Sequence, residues 1–186
     1  MTVRQQWSVV GAIVLLIGGA LFAATKLMGG ELFPVSVGSR APDFHATVVE
    51  PNGTMGPARS LADYRGQVIL FNVWQTWCPP CRQEAPTLEK LYQEFGPKGL
   101  KIVSVSLDEG PDAGKKIRDF AKEFGLTFEI LHDDSGNIER SYQLTGWPEN
   151  FVIDRHGVIR KKAYAQDWSA QGNRALIAQL LAEGAD

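Results

Sequence analysis

The stretch Val68-Ile69-Leu70-Phe71-Asn72-Val73-Trp74-Gln75-Thr76-Trp77-Cys78-Pro79-Pro80-Cys81-Arg82-Gln83-Glu84-Ala85-Pro86 decides how this chain is read. Residues 68–74 are an apolar run of strand length, as expected of a strand buried on both faces. A helix is expected from about Pro80 to Phe95, with Leu88, Leu91, Tyr92 and Phe95 on one face. The two cysteines therefore fall where a buried strand hands over to a helix. A thiolate is the reactive form of cysteine, and a helix N-terminus offers it partial positive charge and free N–H groups. Cys78 is read as the exposed, attacking sulfur. Cys81, one turn in, is read as the shielded sulfur that resolves a mixed disulfide. Pro79 and Pro80 are tolerated in a first helical turn but donate no N–H. The amides left for the Cys78 sulfur are then those of Cys81 and Arg82. Fewer donors imply a weaker thiolate and a more reducing couple, so replacing Pro79 with Gly should lower the Cys78 pKa.

Working outward, strands are expected at 101–107, 127–131, 151–154 and 158–163. The last two form a hairpin about Arg155-His156-Gly157. Helices are expected at 115–124, stopped by Gly125, and at 170–182. Residues 43–49 form an extra strand, 51–53 a turn, and 60–63 a helical turn. The order strand-helix-strand-helix-strand, then hairpin, then helix implies an α/β domain. Its sheet is parallel in part, with helices on both faces, and the hairpin adds antiparallel strands.

The first 28 residues differ from the rest. They are uncharged from Gln5 to Thr25, and residues 7–25 would extend about 28 Å as a helix, close to the ~30 Å hydrocarbon core. Residues 1–28 are read as a signal anchor, 29–38 as a spacer and 39–186 as the domain. A cleaved signal peptide is the alternative, although Phe22 spoils the best cleavage site. Arg4 precedes the span and favours a cytoplasmic N-terminus with the domain outside the membrane, in an oxidising compartment. The chain has 186 residues, a net charge of −2 and two cysteines. Arg4 and Lys26 are the only charged side chains in the anchor, so the remainder is more acidic still. That balance excludes a basic nucleic-acid surface. Two cysteines exclude a multi-disulfide scaffold and a four-cysteine zinc site. The three histidines (His45, His132, His156) are scattered, so a zinc site lacks further ligands. A purely structural disulfide would close too small a loop to constrain the unfolded chain.

Residues 72–86 resemble the thioredoxin superfamily, in particular its membrane-anchored, extracytoplasmic TlpA/ResA-like branch. Thr145-Gly146-Trp147-Pro148-Glu149-Asn150-Phe151-Val152-Ile153-Asp154 is similar to that family's cis-proline loop entering its hairpin, and Ala41-Pro42-Asp43-Phe44 is similar to its opening. The resemblance covers most of 39–183. It implies a thioredoxin-like fold: a central mixed sheet flanked by helices, with an N-terminal extension, after one transmembrane helix. It implies a cis peptide before Pro148 facing the cysteines, with the Trp147 backbone free to pair with an extended client segment. Trp147 is also read as a lid over the disulfide or an apolar contact, Trp77 as flanking the disulfide, and Trp74 as core. Glu84 is placed beside the cysteines, where a carboxylate would disfavour a thiolate and pass a proton to the leaving sulfur. Asn72 stands where cytoplasmic thioredoxins carry a buried aspartate, which moves proton handling to Glu84.

The activity implied is that of an extracytoplasmic thiol-disulfide oxidoreductase, a reductase of protein disulfides working through Cys78 and Cys81. No cofactor beyond that redox-active disulfide is implied. The partners implied are a disulfide-containing client protein, a membrane electron donor of the DsbD/CcdA type, and the membrane itself through the N-terminal helix. Glu149 after Pro148 is similar to the DsbE/CcmG-like members, whose client is apocytochrome c. Three rivals stand beside this reading. A redoxin-type peroxidase is suggested by 41–44, but Gln75 stands where such enzymes carry threonine. A copper metallochaperone would need a ligand histidine. An oxidant that installs disulfides would use the same two sulfurs.

Overall fold

The computed structural model describes residues 3–28 and 34–184. They fall into two units that divide between Pro34 and Val35. In the first, helix α1 (Val3–Met28) holds a 19-residue segment, Gln5–Ala23, long and apolar enough to cross a membrane. No described side chain of that segment is buried by protein.

The second unit follows the order β1 (His45–Val49), β2 (Met55–Ser60), a 3₁₀ turn (Leu61–Tyr64), β3 (Val68–Trp74), α2 (Pro79–Phe95), β4 (Leu100–Ser106), α3 (Ala113–Phe124), β5 (Glu129–His132), α4 (Asn137–Ser141), β6 (Glu149–Ile153), β7 (Ile159–Tyr164) and α5 (Gln171–Ala182). The seven strands lie in the order β2-β1-β5-β4-β3-β6-β7. β5, β4 and β3 are parallel; β6 and β1 flank them antiparallel, and β7 and β2 at the edges pair antiparallel with β6 and β1 in turn. This is the mixed thioredoxin-like sheet.

β3 shows why an apolar run becomes a central strand. All seven of its residues are buried. Because side chains alternate between faces, Val68, Leu70 and Trp74 meet Leu88 and Leu91 of α2, Ile117 and Phe120 of α3, and Ile177 and Leu180 of α5. Ile69, Phe71 and Val73 meet Phe44, Tyr64, Ile138 and Tyr142. Phe71 lies at the centre of that second layer, its ring 4.8 Å from Phe44 and 4.6 Å from Tyr142.

Helices do flank both faces, but not as the alternation alone implies. β3-α2-β4 and β4-α3-β5 step across the sheet in the same direction. Two right-handed crossovers in one direction put both helices on one face, and α5 joins them. The opposite face is covered by residues 35–44 and the short α4. Residues 29–33 of the expected spacer lie outside the described residues. Residues 35–38 belong to the folded unit: the Val35 N–H donates to Gln143 Oε1, and the Gly38 N–H donates to the Ile159 carbonyl.

Three elements lie outside the sequence expectation, among them a 3₁₀ turn at Gly96–Lys98 between α2 and β4. β2 contains Gly56 and Pro57 and shows no apolar alternation; it is an edge strand, where proline is tolerated. The five-residue α4 is too short for a helical period to show. The turn at 51–53 carries a constraint of its own. A side-chain carbon on Gly114, at the start of α3, would lie 2.3 Å from the Gly53 carbonyl oxygen. Only glycine lets that turn and helix approach so closely.

Candidate active site

The site forms where β3 ends and α2 begins. Cys78 is the N-cap residue of α2, and Pro79 and Pro80 open the helix. The two cysteines are joined as a disulfide, with Cα atoms 5.3 Å apart. The Cys81 N–H lies 3.3 Å from Cys78 Sγ and donates to it. The Arg82 N–H does not serve this sulfur: it is spent on the Cys78 carbonyl at 3.2 Å. Cys78 therefore has a single amide donor, one fewer than expected.

The same geometry corrects which proline matters. An N-cap side chain accepts from the N–H groups at the second and third helical positions. Those are Pro80 and Cys81; Pro79 occupies the first. Restoring an amide at 80 is thus the substitution that adds a donor. Pro80→Ala is expected to lower the Cys78 thiol pKa, read by alkylation rate against pH. A drop of one unit corresponds to a less reducing couple by about 30 mV. An unchanged pKa would remove the amide argument.

Cys78 is not the exposed sulfur expected. Both cysteines are only 3% exposed and belong to the core. The reason is the loop opposite. The Trp147–Pro148 peptide is cis, as expected, and the Trp147 carbonyl oxygen lies 3.3 Å from Cys78 Sγ. In the disulfide that sulfur has no hydrogen to give, so this is a packing contact; a reduced Cys78 thiol would donate there. The Trp147 side chain packs against both core layers. Trp77 is 65% exposed and meets Trp147 edge to face, ring centroids 5.9 Å apart. The two tryptophans line an open groove of about 400 Å³ with Gln75, Asp108, Glu109 and Lys116. Neither backbone group of Trp147 pairs with another backbone group among the described residues, whereas the Pro148 carbonyl accepts from the Ala165 N–H. Trp74 is core, against Phe120.

Glu84 is almost fully buried one turn beyond Cys81. Both residues line one small cavity with Asn72, Trp74, Ser104 and Pro148. Its volume, about 10 Å³, is close to the least that holds one water. Burial raises the Glu84 pKa to about 7, against the opposing pull of donors to its charged form. Those donors are the Gln166 N–H at 2.9 Å from Oε2 and the Trp168 indole N–H at 2.9 Å from Oε1. The Asn150 amide also favours the charged form by its proximity, but its nitrogen makes no well-formed hydrogen bond. Asn72 sits beneath, donating to Asn150 Oδ1 and accepting from Ser104 Oγ. The position is thus a neutral hydrogen-bonded link and does not titrate.

Sequence reasoning missed three contributors. Trp168 and Gln166 lie 82 or more residues from Glu84 in the chain, with no local pattern to connect them. Asp108 is buried and fixes the loop before Cys78. Its carboxylate accepts from the Thr76 N–H and Oγ1–H and from Ser106 Oγ–H. An acid two residues after a buried strand was the available signal. Glu149 lies buried, 3.3 Å from Lys162. His132 is buried against the Asp108 carbonyl at 2.7 Å. Among the described residues no group of three metal-ligating side chains is placed to hold an ion.

A model of the AhpC/TSA family matches residues 37–162. The thiol-disulfide oxidoreductase ResA of Geobacillus thermodenitrificans is 34% identical over 160 residues, 85% of this chain and 87% of its own. The chain belongs to the ResA/DsbE-like proteins of the thioredoxin superfamily. A second ResA-like relative, the thioredoxin-like protein YneN of Bacillus subtilis, is 33% identical over 84% of this chain and 88% of its own. Among solved structures, a candidate thiol:disulfide interchange protein DsbE from Chlorobium tepidum superposes with a TM-score of 0.63 at 26% identity. The match covers 79% of this chain and 96% of that one. This ResA/DsbE-like chain is accordingly a thiol-disulfide oxidoreductase.

Proposed function

We propose that the chain is a membrane-tethered, extracytoplasmic reductase of protein disulfides. The observation that carries this reading is the Cys78–Cys81 pair at the start of α2, facing the cis Trp147–Pro148 loop, with Glu84 behind Cys81. Reduced Cys78 attacks a client disulfide. One client sulfur bonds to Cys78 and the other leaves as a thiolate. Cys81 then attacks Cys78 Sγ and releases the second client thiol. The client gains two electrons and two protons, and the pair leaves oxidised.

Trp147 and Trp77 form the contact for the client. The unpaired backbone of Trp147 suits an extended segment laid beside the cis-proline loop. Because the Trp147 carbonyl lies against Cys78 Sγ, this loop must shift for attack. The clients are proteins carrying a reducible cysteine pair, and apocytochrome c is the first to test.

An oxidising compartment cannot recharge the pair, so we assign that step to a membrane dithiol donor of the DsbD/CcdA type. The donor attacks Cys78 Sγ and Cys81 leaves. Glu84 protonates it, directly or through one water in the shared cavity. Residues 1–28 serve as the uncleaved anchor, with the domain outside the cytoplasmic membrane.

Two measurements on the full chain test these assignments. Protease added to intact spheroplasts should digest the domain while sparing a cytoplasmic control; protection would reverse the topology. In cells, the pair should be largely reduced when the membrane donor is present and oxidised when it is deleted. A pair oxidised in both strains would favour the oxidant reading.

A further inference from the structure

β7 carries two consecutive lysines, and their surroundings differ. Lys162 lies 3.3 Å from the Glu149 carboxylate. Lys161, on the other face of the strand, has no carboxylate partner among the described residues. Its ammonium is held instead by two amide oxygens, Asn173 Oδ1 at 2.5 Å and Gln166 Oε1 at 3.5 Å. Asn173 is itself fixed, being buried and donating to the Asp167 carbonyl at 2.7 Å. Held this way, Lys161 Nζ lies 5.7 Å from the centre of the Trp168 ring.

Trp168 is fully buried, and its indole N–H donates to Glu84. A cation on the face of an indole draws electron density toward itself. The N–H at the ring edge becomes a stronger donor, and a chain of such contacts strengthens each member in a low-dielectric interior. The beneficiary is the charged form of Glu84, which has no ion-pair partner among the described residues.

We propose that Lys161 is a positioning residue that acts through Trp168 to stabilise the Glu84 carboxylate formed when Glu84 gives its proton to the leaving Cys81 sulfur. The step moves one proton and no electrons. It rests on the reading of Glu84 as the acid of the disulfide exchange.

Few other charges bear on Glu84. α2 contributes Cys81 and, at its N-cap, Cys78. β3, β4 and β6 contribute the neutral Asn72, Ser104 and Asn150. The segment after β7 contributes Asp167, whose carboxylate accepts from the backbone and hydroxyl of Ser169. α5 contributes the neutral Asn173. Lys90 of α2 acts on Asp167, which leaves Lys161 as the cation held against the Trp168 ring.

The test is the rate at which dithiothreitol reduces the Cys78–Cys81 disulfide in the full-length chain, from pH 5 to 9, corrected for reagent thiolate. With Glu84 as acid, the corrected rate falls as Glu84 ionises, and Glu84→Gln lacks that limb. Lys161→Gln keeps polar contacts but removes the charge; it should move the limb up by at least ~0.5 pH unit, and Lys161→Arg should restore it. In a Trp168→Phe background, Lys161→Gln should move it no further. If Trp168→Phe does not fold, the Gln and Arg variants decide alone. A limb absent in Glu84→Gln but unmoved by Lys161→Gln overturns the role of Lys161 and leaves Glu84 intact. A limb that persists in Glu84→Gln overturns Glu84 as the acid, and Lys161 with it.

Discussion

Cys81→Ala should turn the full-length chain into a covalent trap. Cys78 can still attack a client disulfide, but no second sulfur stands 5.3 Å away, Cα to Cα, to release it. Mixed disulfides should accumulate on Cys78, survive non-reducing electrophoresis and disappear with dithiothreitol. Cys78→Ser should yield none, and turnover of a protein disulfide should fall to the uncatalysed background in both variants. Burial does not rank the two sulfurs, but Cys81 lines the interior cavity with Glu84 and Cys78 lies against the Trp147 loop, so a client sulfur is expected to reach Cys78 first once that loop moves. If Cys78→Ala traps clients and Cys81→Ala does not, the roles of the two sulfurs are reversed. The trapped proteins also identify the client class, including any apocytochrome c.

Glu84→Gln should have the next largest effect, and it shows in two readouts. As an acid, a carboxyl positioned at the leaving sulfur contributes on the order of 10²-fold or more to rate. The variant should lose about that factor below pH 7 and little above it, where Glu84 is already ionised. Stability should respond as well. The folded-state pKa, about 7, lies above the ordinary 4.5, so the folded chain binds more protons than the unfolded chain between those values. The free energy of unfolding therefore falls as pH rises through that window. About 2.5 units correspond to about 3 kcal/mol. Urea unfolding of the oxidised chain in detergent should show this loss between pH 4.5 and 7 for wild type. Glu84→Gln should lack that slope, although it starts lower, because an amide leaves one of the two N–H donors unpaired. Equal slopes in both proteins would place the Glu84 pKa near its ordinary value.

Much of the site was legible because its chemistry is local. Cys78, Cys81 and Glu84 lie within two helical turns, and a strand apolar on both faces could only end at a loop beside them. The bounds of β3 were readable for the same reason: six of the seven residues 68–74 are apolar. The cis-proline loop was found through its own motif. What sequence concealed is long-range. The donors to Glu84 arrive from the segment after β7, and the loop before Cys78 is pinned by Asp108 from beyond β4. Nothing in the spacing of residues records those contacts. The exposure of Cys78 was misread because the covering residue, Trp147, is nearly seventy positions away. Which face each helix takes was not legible, because alternation gives the order of elements but not the direction of each step across the sheet. β2 escaped notice because a solvated edge strand needs no apolar period.

The most direct measurement mixes the reduced full-length chain with a protein disulfide and counts alkylatable thiols on both partners over time. The expected result is loss of the Cys78 and Cys81 thiols together, matched by two new thiols on the client. A pair that stays reduced while the disulfide stays intact, or client thiols appearing without oxidation of both cysteines, would contradict a two-sulfur exchange at the head of α2.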